Sequence, residues 1–127
     1  MSTEKKALIG THQRMTRIIL ETHLAPLGYT VERVQDLPLM LEKCAEQDYD
    51  LYFMDINLGI PGAPTVEPAQ QVHQALYARG HERGLEKRLY TFSGNEATVD
   101  LAQAQGLKGY LSPLTVDLIK KMVAGEE

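Results

Sequence analysis

The chain has a single cysteine, no tryptophan, and no apolar run near the roughly 20 residues a membrane-spanning helix requires. Cys44 alone excludes an intramolecular disulfide and a cysteine-rich zinc site. It lies in a helical stretch with Met40, Leu41 and Ala45, where a small buried thiol is the simple expectation. Positive charge is also scarce. Thirteen Lys and Arg stand against 17 Asp and Glu, a net charge of −4. A general nucleic-acid surface is disfavoured, because neutralising phosphates needs an excess of basic side chains, and membrane adsorption is disfavoured for the same reason. Met1 to Lys6 is polar and has no apolar signal core, so a cytoplasmic location is expected. His12, His23, His73 and His81 are scattered without zinc-site spacing. Among them His12, at a strand end, is the best placed for a metal, and its alternative is a helix-start residue in a polar loop.

What is present is an ordinary globular composition, 43% hydrophobic and 24% charged over 127 residues, which is one domain's worth of chain. Short apolar runs alternate with helical periodicity. Strands are expected at Ala7–Ile9, Tyr29–Val34, Leu51–Met54, Leu89–Phe92 and Gly109–Leu111. A first helix carries Met15, Ile18, Ile19 and Thr22 and should end near Leu27-Gly28, with Gly28 left-handed. Asp36 followed by Pro38 signals a helix start. A third helix begins near Pro68 and is closed by Gly80. The charged run His81–Arg88 reads as a solvated loop and helix-end region. Asn95–Gln105 and Thr115–Ala124 complete five helices. Alternation of this kind predicts an α/β fold with right-handed crossovers and a parallel sheet covered on both faces. Function in such folds gathers at the carboxyl ends of the strands.

At those ends Asp55 follows four apolar strand residues, and Ser93 closes the fourth strand. A carboxylate held there is a good anionic nucleophile for phosphoryl transfer, with Ser93 placed to hydrogen-bond a phosphoryl oxygen. Equally, Asp55 caps the following loop and Ser93 caps the helix at Asn95. Spacing alone leaves both readings open.

The segment Asp50-Leu51-Tyr52-Phe53-Met54-Asp55-Ile56-Asn57-Leu58, with Pro61-Gly62 beyond it, resembles the third strand and phosphoacceptor loop of response-regulator receiver domains. Ala7 to Tyr29 is similar to that family's first strand and helix. Ala104 to Leu111, followed by Pro113, resembles its fifth-strand region. The resemblance covers nearly the whole chain and implies a single receiver-like domain over 1–127. It implies a flavodoxin-like doubly wound sheet of five parallel strands in order 2-1-3-4-5 with five helices. It further implies Asp55 as phosphoacceptor, Ser93 and Tyr110 as a switch pair, and Asp55 with the Asn57 carbonyl as Mg²⁺ ligands. A histidine kinase or another signalling protein is the implied partner, and a homodimer is possible. Output is expected through protein–protein contact or from domains outside this chain.

Three departures matter. Gly10 and Thr11 stand where the family places two metal-binding acidic residues. Ser112 replaces the lysine before Pro113, and that segment is about one residue short, with Lys108 on the wrong side of Tyr110 to substitute. The loop before Pro68 is lengthened. Mg²⁺ prefers a rigid oxygen octahedron, so Asp55 and Asn57 alone predict a weak site. Loss of one preorganised donor costs roughly 10²–10³ in rate in other systems. The expectation is therefore a pseudo-receiver, not an enzyme, with impaired Mg²⁺-dependent phosphorylation unless His12 or a basic loop residue compensates. A working switch phosphorylated on Asp55 is the alternative. A small flavodoxin-like enzyme is remote, since no dinucleotide fingerprint, P-loop or nucleophile elbow is present.

Overall fold

Leu51–Asp55 is buried along its whole length, and that continuous apolar run makes it the centre of the sheet. In the computed structural model, which describes residues 4–127, this strand is β3. The other strands are β1 (Lys5–Gly10), β2 (Tyr29–Val34), β4 (Leu89–Ser93) and β5 (Gly109–Leu111). The helices are α1 (Arg14–Leu24), α2 (Leu37–Glu46), α3 (Glu67–Gly80), α4 (Glu96–Ala104) and α5 (Val116–Val123). Met1–Thr3, the start of the polar segment read above, lie outside the described residues. All pairings are parallel, in the order β2-β1-β3-β4-β5. The architecture is the flavodoxin-like doubly wound sheet.

Strand alternation divides the interior in two. Leu8, Tyr52, Met54 and Leu89 face Met40, Cys44, Val72, Leu76, Val99 and Ala102, the inner surfaces of α2, α3 and α4. Ala7, Ile9, Phe53, Tyr90 and Phe92 face Leu20, Leu24, Ile119 and Met122 of α1 and α5. Each Val, Leu, Ile, Phe or Met among them contributes about 1.5–3 kcal/mol by leaving water. The Asp36 cap follows the sequence, and Asn95, read there only as the start of a helix, caps α4 with its own side chain. Asp36 accepts from the Leu39 amide at 2.9 Å, and Asn95 from the Thr98 amide at 3.0 Å. Cys44 is buried, and burial pushes its thiol up to about 12.

Two boundaries differ from expectation. The first helix tightens into a 3₁₀ turn at Ala25–Leu27 before Gly28, which is left-handed at φ 92°. The run 81–88 is only partly solvated. It forms two short 3₁₀ turns in which Leu85 enters the core and Glu86 is buried beside His81 Nδ1 at 2.5 Å. Gly80 closes α3 by permitting close approach, since a Cβ there would lie 2.6 Å from Leu85 Cδ1. Arg79 and Arg83 both bind Asp48, which fastens this segment to the turn before β3. Among the described residues, no helix is long and apolar enough to cross a membrane.

Candidate functional site

β1 and β3 are neighbours, so the residues that leave β1 meet the carboxylate that ends β3. Asp55 is fully buried there. Its Oδ2 accepts the Thr11 hydroxyl at 3.0 Å and the His12 amide at 2.9 Å, and lies 2.7 Å from His12 Nδ1. Thr11 Oγ1 itself accepts the Gln13 amide at 2.9 Å, which directs its own proton at Asp55. Asp55 Oδ1 is buried with no hydrogen-bond partner, a cost of about 1–3 kcal/mol. Burial raises the Asp55 carboxyl above its ordinary value. The His12 amide, the His12 ring and Thr11 pull it back.

A cleft of about 220 Å³ opens above the strand ends. His12, Gln13, Asn57, Ser93, Gly94 and Asn95 line it, and Asp55 does not. The imidazole of His12, a quarter exposed, covers the carboxylate instead. Asn57 is turned into its own loop. Its side-chain amide donates to the carbonyls of Ile60 and Ala63 at 3.3 and 3.1 Å, and its carbonyl accepts the Ile60 amide at 3.0 Å. Ser93 Oγ accepts the Asn95 amide at 3.1 Å, the local capping role that spacing had left open.

The residues present make at most a weak site for a divalent cation. A Cβ on Gly10 would lie 2.8 Å from Met40 Sδ and 3.0 Å from Leu58 Cδ2, so apolar side chains fill the space an acidic residue would need. Thr11 spends its hydroxyl on Asp55. No group of three His, Cys, Asp or Glu residues suited to a metal occurs among the described residues. Ser112, in the lysine position, donates to Gln13 Oε1 at 3.3 Å. Lys108 lies at the far end of β5, donating to the carbonyls of Lys87 and Glu127 at 2.7 and 2.9 Å.

Tyr110 and Ser93 are not brought together. Tyr110 pairs in register with Phe92 and packs on the α1/α5 face, 6.2 Å from the Tyr90 ring centroid. Ser93, the next residue along, points to the opposite face by strand alternation. Gly109 occupies the α4 face of β5, where a Cβ would lie 3.2 Å from Ala102 Cβ. The missing residue between Tyr110 and Pro113 has this consequence, since a shift of one reverses which face a strand side chain takes. His12 as the partner of Asp55 went unassigned in the sequence. Its signal was its place two residues beyond β1, beside β3.

No protein-family model and no curated protein sequence matches the chain. Solved structures do, and they share the fold of response-regulator receiver domains. The chemotaxis response regulator CheY4 of Vibrio cholerae superposes with a TM-score of 0.71 at 16% identity, covering 98% of this chain and 100% of its own. A response-regulator receiver protein of Sinorhizobium medicae gives 0.74 at 16% identity, with 96% and 93% covered. The receiver domain of the sensor histidine kinase PA1611 of Pseudomonas aeruginosa, solved with a magnesium ion coordinated in its active-site cleft, gives 0.69 at 16% identity, with 97% of each chain covered. The chain therefore has the receiver fold.

Proposed function

We propose that this chain, as a single domain over 1–127, is a receiver-type module of two-component signalling that works through protein–protein contacts, with Mg²⁺-dependent phosphorylation at Asp55 impaired. One observation carries the reading. The Asp55 carboxylate is buried beneath His12 and already accepts from Thr11 and the His12 amide, while Met40 and Leu58 leave no room for an acidic side chain at position 10. Phosphoryl transfer to a carboxylate relies on positioning and charge neutralisation, and here the metal ligands and the lysine that supply them are replaced. The unpartnered Asp55 Oδ1 favours a second reading, a working acceptor that opens on meeting its donor.

Leu101 of α4, Leu111 of β5 and Val116 of α5 are all substantially exposed, and this apolar set supports the α4–β5–α5 surface as the docking face. A histidine kinase, another signalling protein or a second copy would sit there. A cytoplasmic location and a non-enzymatic role accompany the reading. Amide spectra recorded with Mg²⁺ and then with beryllofluoride, which mimics a phosphoryl group on aspartate, test it. Unchanged spectra are expected. Shifts centred on Asp55 and spreading to Ser93 would establish the working acceptor instead.

A further inference from the structure

The arginines of this chain fall into two groups. Near the amino end of the sheet, Arg79, Arg83 and Arg88 each donate hydrogen bonds to Asp48 or to main-chain carbonyls. Near the carboxyl ends of β1 and β2, Arg17 and Arg33 meet a single partner, Glu21. Their Nε atoms lie 3.8 and 3.3 Å from the same oxygen, Glu21 Oε1. Neither contact has hydrogen-bond geometry, since Arg17 Nε and Glu21 Oε1 are both buried without a hydrogen-bond partner among the described residues. Two guanidiniums thus converge on one point and share one carboxylate. One positive charge is left unmatched, on groups that carry five N–H donors each.

Both side chains line one crevice of about 380 Å³, and Glu21 does not. Ile9, Val34 and Leu39 give the crevice an apolar wall, with Leu39 44% exposed, and Gln35 adds an exposed amide. Its remaining polar groups are committed elsewhere. The Thr11 hydroxyl donates to Asp55, and Asp36 Oδ1 accepts the Leu39 amide at the start of α2. An adjoining cleft shares Thr11, Arg17 and Gln35 and brings in Arg14. Three arginines therefore stand against Glu21 and Asp36 here, a local excess of positive charge on a chain whose net charge is −4.

We propose that this crevice binds a phosphomonoester carried on an apolar or aromatic body. The phosphoryl head meets Arg17 and Arg33, and the body lies on Val34 and Leu39. A phosphomonoester offers three oxygens, enough for two guanidinium forks that converge on one point, whereas the two oxygens of a carboxylate are satisfied by a single fork. Glu21 is a positioning residue that holds the two forks together from behind. Binding needs no metal and no covalent step. The site is separate from the cleft above Asp55, which is lined by Asn57, Ser93 and Asn95, so it stands whether or not Asp55 is phosphorylated.

The test is an amide-shift titration of the full chain with phenyl phosphate, inorganic phosphate and benzoate. Saturating shifts are expected in residues 9–17 and 33–39. Phenyl phosphate should bind about 10-fold more tightly than inorganic phosphate, through its apolar contact, and more tightly than benzoate. Arg33→Gln should weaken both phosphates about 10-fold, the loss of a charge-assisted contact. Leu39→Ser should weaken phenyl phosphate and leave inorganic phosphate unchanged. The two side chains are 52% and 44% exposed, so both variants should fold, and their spectra without ligand verify it. Benzoate binding as tightly as phenyl phosphate overturns the phosphoryl assignment. Shifts centred on Ser93 and Asn95 would place the ligand above Asp55 instead, and they overturn the site. No saturation at millimolar phenyl phosphate, or affinity unchanged by Arg33→Gln, overturns it as well.

Discussion

Phe92 and Tyr110 stand opposite each other across β4 and β5, and both side chains pack against the α1/α5 face of the sheet. An aromatic anchored there cannot move in behind Ser93 without crossing the sheet. Tyr110→Ala should therefore act as a core truncation, costing about 1–3 kcal/mol for a half-buried aromatic, while the amide shifts of α4 stay in place. Urea titration and a two-dimensional amide spectrum check both parts, and large α4 shifts would sink the idea. Gly109→Ala should cost about 1 kcal/mol or more, because Ala102 Cβ and the Val99 carbonyl sit 3.2 and 3.3 Å from the new methyl.

Restoring an acidic residue at position 10 should fail. Gly10→Asp places a carboxylate against Met40 and Leu58. Overpacking and an unpaired buried charge together cost about 3 kcal/mol or more. Mg²⁺ titration of the variant, followed by amide shifts at Asp55 and Asn57, is expected to give no saturating response, and the urea midpoint should fall.

Asp55 makes stability depend on pH in a defined direction. Its carboxyl is raised, first by burial, so the folded chain holds that proton more tightly than the unfolded chain does. The stabilisation is full below the ordinary carboxylate value of about 3.9 and is lost as pH rises through the raised native value. Asp55→Asn carries no such loss. The urea midpoint of the variant relative to the original should climb through that window and then level off. A difference that stays flat across the acid range would contradict it.

Ser93 caps rather than switches at rest. Ser93→Ala removes the acceptor of the Asn95 amide and should cost about 1 kcal/mol by urea unfolding, with fraying confined to the first turn of α4 in hydrogen exchange.

Much of the fold was legible because local chemistry and global architecture agree. The apolar run ending at Asp55 and the Asp36 cap each specify an element without reference to the rest of the chain. The segment 81–88 was illegible because Leu85 and Glu86 are buried only through α3 and Gly80, which composition does not reveal. In the site, Asp55 was found from its place after β3. His12 was not assigned to it, since the contact spans 43 residues and depends on β1 lying beside β3. The face of Tyr110 depended on the length of one short connection, where a single residue inverts the outcome.

A sheet clothed on both sides also partitions the effects of sequence change. The interior behind α2, α3 and α4 shares only backbone with the interior behind α1 and α5. Val72→Ala paired with Met122→Ala should give the sum of the two single effects, within about 0.3–0.5 kcal/mol. Pairs within one compartment, such as Val72 with Leu76, should interact. The two halves of the core can accordingly drift under mutation almost independently, each repacking against its own helices while the sheet between them keeps its register.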